Sequence, residues 1–254
     1  MILDLFRLDG RVALVTGAGQ GLGQAMAIGL AEAGADIVAL DRRESDQTGQ
    51  AVTALGRRFK AITCDLLTAS VTDLQQMVMQ IMSDMGHIDV LVNNAGIIRR
   101  APALDFSETD WDEVLQINLK VVFFLSQAVA RTMISNGGGK IINVASMLSF
   151  QGGISVPSYT ASKSAVAGVT RALANEWSRH GINVNAIAPG YMATDNTAAL
   201  RADPDRSSAI LDRIPIGRWG TPDDLKGAVV FLASPAASYL HGAIVPVDGG
   251  WLAR

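Results

Sequence analysis

Short runs of consecutive apolar, often β-branched residues alternate along this chain with longer stretches in which apolar positions recur at helical spacing. Val12–Thr16, Asp36–Asp41, Phe59–Cys64 and Asp89–Val92 predict buried strands, as do Lys140–Ala145, Ile182–Ile187 and Ala243–Val247. Between them, Gly21–Ala33, Thr48–Gly56, Ser70–Met85, Glu108–Ile134, Ser158–Arg179 and Pro222–Leu232 predict helices. Strands that are apolar throughout, not in alternation, are covered on both faces, and strand–helix alternation makes them parallel. Right-handed crossovers then give a doubly wound α/β fold. No linker divides residues 1–254, so a single domain is expected. The least regular stretch, Tyr191 to Pro222, follows the sixth strand and is expected to be a substrate loop over the carboxyl ends of the strands.

Composition changes this picture little. The chain of 254 residues is 49% hydrophobic and 18% charged, with a formal net charge of -3. No Lys/Arg-rich block suggests nucleic-acid binding. Cys64 is the single cysteine, which rules out an intrachain disulfide and fits a reducing compartment. Residues 1–10 lack the features of a secretory signal, and no window is expected to span a bilayer. A cytoplasmic location is the expectation. The three histidines show no metal-ligand spacing, so no catalytic metal is expected.

The first strand runs directly into Thr16-Gly17-Ala18-Gly19-Gln20-Gly21-Leu22-Gly23 and then into a helix. Glycines are needed where backbone turns tightly and must approach a pyrophosphate, and the helix start offers free N–H groups to its charge. Strand before and helix after make this a dinucleotide site, although the same glycines in isolation make ordinary turns. The spacing is Gly17-x-x-x-Gly21-x-Gly23, not the longer-known G-x-G-x-x-G. Asp41 ends the second strand, where a carboxylate bonds an adenosine ribose and repels a 2′-phosphate. Arg42 and Arg43 follow and are suited to a 2′-phosphate instead. With no basic residue in Ala18–Gln20, NAD is the expected cofactor.

Tyr159 and Lys163 lie four residues apart on a predicted helix and so share a face. A free tyrosine has a pKa of about 10, and a nearby ammonium lowers it toward the range of a useful general base. Ser146, just past the fifth strand, is placed to bond a substrate oxygen, and Asn118 to hold a water beside Lys163. Taken singly, each of these residue types is more often a solvated surface residue or a helix cap. Their joint position after the strands of a dinucleotide fold makes them a catalytic set.

Together Thr16-x-x-x-Gly21-x-Gly23, Asn93-Asn94-Ala95-Gly96, Asn118, Ser146, Tyr159-x-x-x-Lys163 and Pro189-Gly190 resemble the short-chain dehydrogenase/reductase family over nearly the whole chain. The resemblance implies a Rossmann domain with a seven-stranded parallel sheet flanked by helices, and a catalytic tetrad of Asn118, Ser146, Tyr159 and Lys163. It implies that Gly17, Gln20, Gly21, Leu22 and Gly23 hold the pyrophosphate end. By the same resemblance Asp65 and Leu66 contact the adenine, while Asn93, Ala95 and Gly96 support the cofactor. Pro189, Gly190, Met192 and Thr194 then reach the nicotinamide end. Within the family, Asn93–Arg100, Ser146–Ser164, Pro189–Asp203, Ile210–Gly220 and Val247–Arg254 resemble sugar-acid dehydrogenases. A sugar acid needs a cation for its carboxylate, for which Arg100 is the candidate beside Arg99, and polar groups such as Gln151 for its hydroxyls. Ala161, Ala165, Gly168 and Ala172 form a small-residue stripe, and the resemblance makes it a helix–helix seam within a homotetramer. Two competing readings are a 3-oxoacyl-thioester reductase, against which Asp41 and the net charge argue, and a nucleotide-sensing binding protein, against which the complete tetrad argues.

Overall fold

The computed structural model describes residues 1–254. Seven strands, β1 Val12–Thr16, β2 Asp36–Asp41, β3 Phe59–Thr63, β4 Val90–Asn93, β5 Gly139–Val144, β6 Ile182–Pro189 and β7 Ile244–Val247, form one sheet. Their order is β3-β2-β1-β4-β5-β6-β7, and every neighbouring pair is parallel. The chain order reverses between β1 and β4, which opens a crevice at their carboxyl ends.

Helices α1 Gly21–Glu32, α2 Asp46–Ala54 and α3 Val71–Met85 link the first four strands. After β4 come α4 Glu108–Leu115 and α5 Val122–Ser135, then α6 Pro157–Trp177 after β5. Side chains of β1 alternate between two cores. Ala13 and Val15 pack with Met26 and Leu30 of α1, while Val12 and Leu14 pack with Val78 of α3, Leu125 of α5 and Leu173 of α6. Each such Leu or Val contributes about 1.5–3 kcal/mol by leaving water. Both faces of the strand are therefore apolar, as the unbroken run required.

Four features differ from the sequence reading. The helix expected over Glu108–Ile134 is interrupted by a π-helical turn at Gln116–Val121, which contains Asn118. The same continuous stretch, Glu108–Ser135, is long and apolar enough by composition to cross a membrane, contrary to expectation. Its apolar face instead packs on the sheet, and 56% of its most apolar part is buried. The stretch after β6 is not irregular. It folds into α7 Ala198–Ala202 and α8 Pro204–Leu211, the latter capped by the Asp203 carboxylate accepting the Arg206 N–H at 3.1 Å, with Pro204 in its first turn. Finally, Pro222–Leu225 is a 3-10 turn, and the last long helix, α9, runs over Lys226–Ala233.

Candidate active site

The glycine turn is built for close approach. Gly17 and Gly21 have φ of 66° and 60°, in the left-handed region where a side chain is strained. Gly23 packs so tightly on the preceding turn that a β-carbon there would overlap the Gly17 carbonyl oxygen. Asn94, a residue to which the sequence reading gave no role of its own, clasps this turn. Its side-chain amide donates to the carbonyls of Thr16 at 2.9 Å and Gly17 at 3.2 Å. The Thr16 hydroxyl in return accepts the N–H groups of Asn94 and Ala95 at 3.0 and 2.9 Å. The N-cap of α1, Gln20, bonds no backbone N–H of the helix with its side chain. The helix therefore presents unspent N–H donors and its positive dipole end to the cleft, as a pyrophosphate requires.

From this turn a cleft of about 630 Å³ runs along the crevice, past Asp41 and Asp65 at one end to Tyr159 and Lys163 at the other. Gly17, Gln20, Gly21, Leu22 and Gly23 line it, as do Leu66, Ala95, Gly96 and Thr194. Arg42, Arg43, Asp195, Asn196 and Pro222 also line it, and the last three bring the stretch after β6 to its wall. Asp41 is partly committed within the chain. Its carboxylate accepts the N–H of Gly19 at 2.9 Å and that of Arg43 at 3.1 Å. Asp65 likewise holds the N–H of Leu67 at 2.9 Å. The residues fit a dinucleotide, because β-carbons at Gly17 and Gly23 would clash and the first turn of α1 has no side-chain cap on its N–H groups.

At the far end, helix α6 lies against the carboxyl end of β5. The Lys163 ammonium is buried, donates to the Val144 carbonyl at 2.6 Å, and lies 5.6 Å from the centre of the Tyr159 ring. Burial lowers its pKa to about 8, so it remains largely protonated at neutral pH. Tyr159 keeps some ring exposure along the cleft wall, but its phenol is enclosed. Burial pushes its pKa up, while the Ser146 hydroxyl and the charge of Arg100 pull it back. Before a cofactor is bound, desolvation dominates. Ser146 is held by the turn it starts, its hydroxyl accepting the Leu148 N–H at 3.1 Å.

The remaining expected site residues are held as follows, with Arg99 still lining the cleft. The Asn118 side chain is occupied by protein partners. It brackets Ile97, donating to its carbonyl and accepting its N–H, both at 2.9 Å, and donates to the Ser162 hydroxyl at 3.2 Å. It thereby ties the loop after β4 to α6. Asn93 does not line the cleft: its amide is buried under the sheet, donating to Ser126 and Asn143 at 2.9 Å each. Pro189 ends β6 in register with Val247, while Gly190 and Met192 line a separate cavity of about 210 Å³ beneath the substrate loop. Arg99 is neutralised by Glu113 at 2.5 Å and Asp110 at 3.3 Å. Arg100 donates to the Asn196 carbonyl at 3.1 Å, and Gln151 accepts from Arg213 and Trp251. No three His, Cys, Asp or Glu side chains cluster as metal ligands.

The short chain dehydrogenase family matches residues 11–205. The chain belongs to that family. It is therefore an oxidoreductase with a nicotinamide-dinucleotide site, acting on a small molecule. It is 62% identical to the 2-dehydro-3-deoxy-D-gluconate 5-dehydrogenase of Escherichia coli (strain K12), over the whole of both chains. A Bacillus subtilis (strain 168) protein of the same name is 52% identical, over 99% of this chain and 98% of its own. Among solved structures, the gluconate 5-dehydrogenase from Burkholderia cenocepacia J2315 in complex with NADP and tartrate superposes with a TM-score of 0.95. The two are 41% identical, with all of both chains covered. Family membership agrees with the cleft: two of the motifs that carried the resemblance, the glycine turn and Tyr159-x-x-x-Lys163, line its two ends.

Proposed function

We propose that the protein is an NAD-dependent 2-dehydro-3-deoxy-D-gluconate 5-dehydrogenase that interconverts a secondary alcohol and a ketone on a sugar acid, a step of pectin and uronate breakdown in the cytoplasm. The observation that carries the reading is the Tyr159–Ser146–Lys163 cluster opening onto a dinucleotide cleft, in a chain 62% identical end to end with an enzyme of that name. Gly17, Gly21, Gly23 and Asp41 would hold a nicotinamide dinucleotide, which would supply the hydride chemistry. Ser146 orients the substrate oxygen, and Tyr159 takes its proton during oxidation and returns it during reduction. Lys163 supplies positive charge beside the phenol, and Asn118 keeps the loop after β4 and helix α6 in register for this exchange.

NAD is favoured over NADP because Asp41 stands at the adenosine end, where its charge opposes a 2′-phosphate. Arg42 and Arg43 beside it, and the NADP in the Burkholderia structure, favour a second reading in which both cofactors are used. That structure equally supports gluconate as an alternative substrate. The homotetramer reading is supported by the small-residue stripe of α6. Gly168 and Ala172 are exposed, and a β-carbon at Gly168 would meet nothing within 4 Å. At Gly168 and Ala172 the stripe is open to a partner outside the chain. A monomeric mass by light scattering at micromolar concentration would contradict it.

The deciding experiment is a panel of sugar acids, neutral polyols and 3-oxoacyl thioesters, each run with NAD(H) and NADP(H). The reading requires the highest kcat/KM for 2-dehydro-3-deoxy-D-gluconate with NAD(H), and turnover confined to thioesters would end it.

A further inference from the structure

Six arginines lie in or beside the loop after β6, and they differ in what they already hold. Arg201 donates to the Thr194 carbonyl at 3.1 Å, and Arg206 is exposed on α8. Arg99 is spent on Glu113 and Asp110, and Arg218 on Asp224 at 2.8 Å. Arg100 and Arg213 have no carboxylate partner in the chain. Arg100 bonds the carbonyl of Asn196, a residue that lines the cleft together with Tyr159. Arg213 follows α8, where the loop packs on Trp251.

Arg213 is exposed, but its guanidinium is held from below by buried neighbours. The guanidinium stacks 4.0 Å over the ring of Trp251, which is itself 4% exposed and packed against Met147, the neighbour of Ser146. Tyr191 braces that indole edge-on at 4.8 Å. Stacking fixes the plane of a guanidinium while leaving the in-plane N–H groups free for bidentate contact with a carboxylate. One of these groups donates to the Gln151 side-chain oxygen at 3.2 Å, and that oxygen also accepts the Trp251 indole N–H at 3.2 Å. Two donors on the oxygen settle the orientation of the amide, so the Gln151 NH2 points away from both with its own donors unspent. The turn after Ser146 holds Gln151 in place through its N–H on the Met147 carbonyl at 3.2 Å.

We propose that Arg213, with the side-chain NH2 of Gln151 beside it, holds the carboxylate of the sugar acid, and that Arg100 serves the reacting end. The proposal rests on the sugar-acid reading above. In a 5-dehydrogenase of a gluconate-type acid, the carboxylate lies at the opposite end of the carbon chain from the reacting hydroxyl. Two cations divided between the two ends match that substrate. It also makes Arg213 a specificity-determining residue.

The test compares wild type with Arg213→Met, which keeps an apolar stem on Trp251, and Arg213→Lys, which keeps the charge without the fork. For 2-dehydro-3-deoxy-D-gluconate, Arg213→Met is expected to raise KM roughly 10- to 100-fold, the effect of one charge-assisted contact. The expected kcat stays within about threefold, KM for the cofactor is unchanged, and Arg213→Lys recovers part of the loss. Calorimetric titration of tartrate into the NAD-loaded protein gives a readout independent of turnover, and binding should weaken in parallel. An unchanged KM and an unchanged tartrate affinity in Arg213→Met would overturn the proposal. If wild type turns over no sugar acid, the functional reading fails, and the tartrate titration then decides the anion site by itself.

Discussion

The Lys163 ammonium is anchored to the Val144 carbonyl at 2.6 Å, so helix α6 is pinned to the last residue of β5, with Ser146 just beyond it. This bond feeds a buried charge one acceptor and no carboxylate. The consequence is a lysine whose pKa falls from 10.5 to about 8 on folding. Below about pH 8 both folded and unfolded chains carry the proton, and the folded chain bears the full cost of burying it. As pH rises from about 8 to 10.5 the unfolded lysine stays charged while the folded one is neutral, and the cost is relieved.

The cofactor-free protein should therefore show a pH-dependent penalty on the order of 3 kcal/mol at neutral pH from this one group. Lys163→Met removes it, offset in part by the donor lost to Val144. In thermal denaturation without cofactor, the variant should melt above wild type at pH 6.5, with the gap narrowing toward pH 10. A gap that is constant with pH would show that burial does not set the charge of Lys163.

Gly23→Ala is expected to disable the phosphate turn, because the added carbon overlaps Gly17 and strikes the amide of Asn94. Overpacking of this kind costs about 1–3 kcal/mol. NAD binding, followed by quenching of intrinsic fluorescence, should weaken at least tenfold while circular dichroism stays near that of wild type. Normal affinity would place the pyrophosphate elsewhere.

Cofactor choice should turn on the pair Asp41 and Arg43. Asp41→Ser removes the charge that opposes a 2′-phosphate and leaves a hydroxyl for the Gly19 N–H, so kcat/KM with NADP should rise about tenfold or more relative to NAD. Arg43, whose guanidinium donates to the Gln20 side chain at 2.7 Å, is the cation nearest to hand for that phosphate. Arg43→Gln in the same background should reverse the gain. A ratio insensitive to both changes would move the adenosine end away from these residues.

The parts of the fold carried by periodicity were readable in the chain. All seven strands lie where apolar runs predicted them, and Tyr159 and Lys163 share a face because a helix places residues four apart together. The π turn at Asn118 was not readable, since one extra residue in a helical turn leaves the apolar pattern of Gln116–Val121 almost intact. Helix α8 was missed although its signal was present: Asp203-Pro204 is a cap followed by a first-turn proline. The neighbours Asn93 and Asn94 look alike in sequence, yet strand alternation sends one under the sheet and the other onto the glycine turn. Which arginine meets a carboxylate depends on tertiary pairing, as Arg99 with Glu113 and Arg213 with Trp251 illustrate.

Replacing the Tyr159 hydroxyl with hydrogen is the most direct examination of the account. Tyr159→Phe should bind NAD and melt within a few degrees of wild type, yet its rate of NADH formation from a sugar-acid alcohol should fall at least a thousandfold, since both proton transfer and charge stabilisation are lost. Turnover within tenfold of wild type would contradict the assignment of Tyr159 as the group that moves the proton.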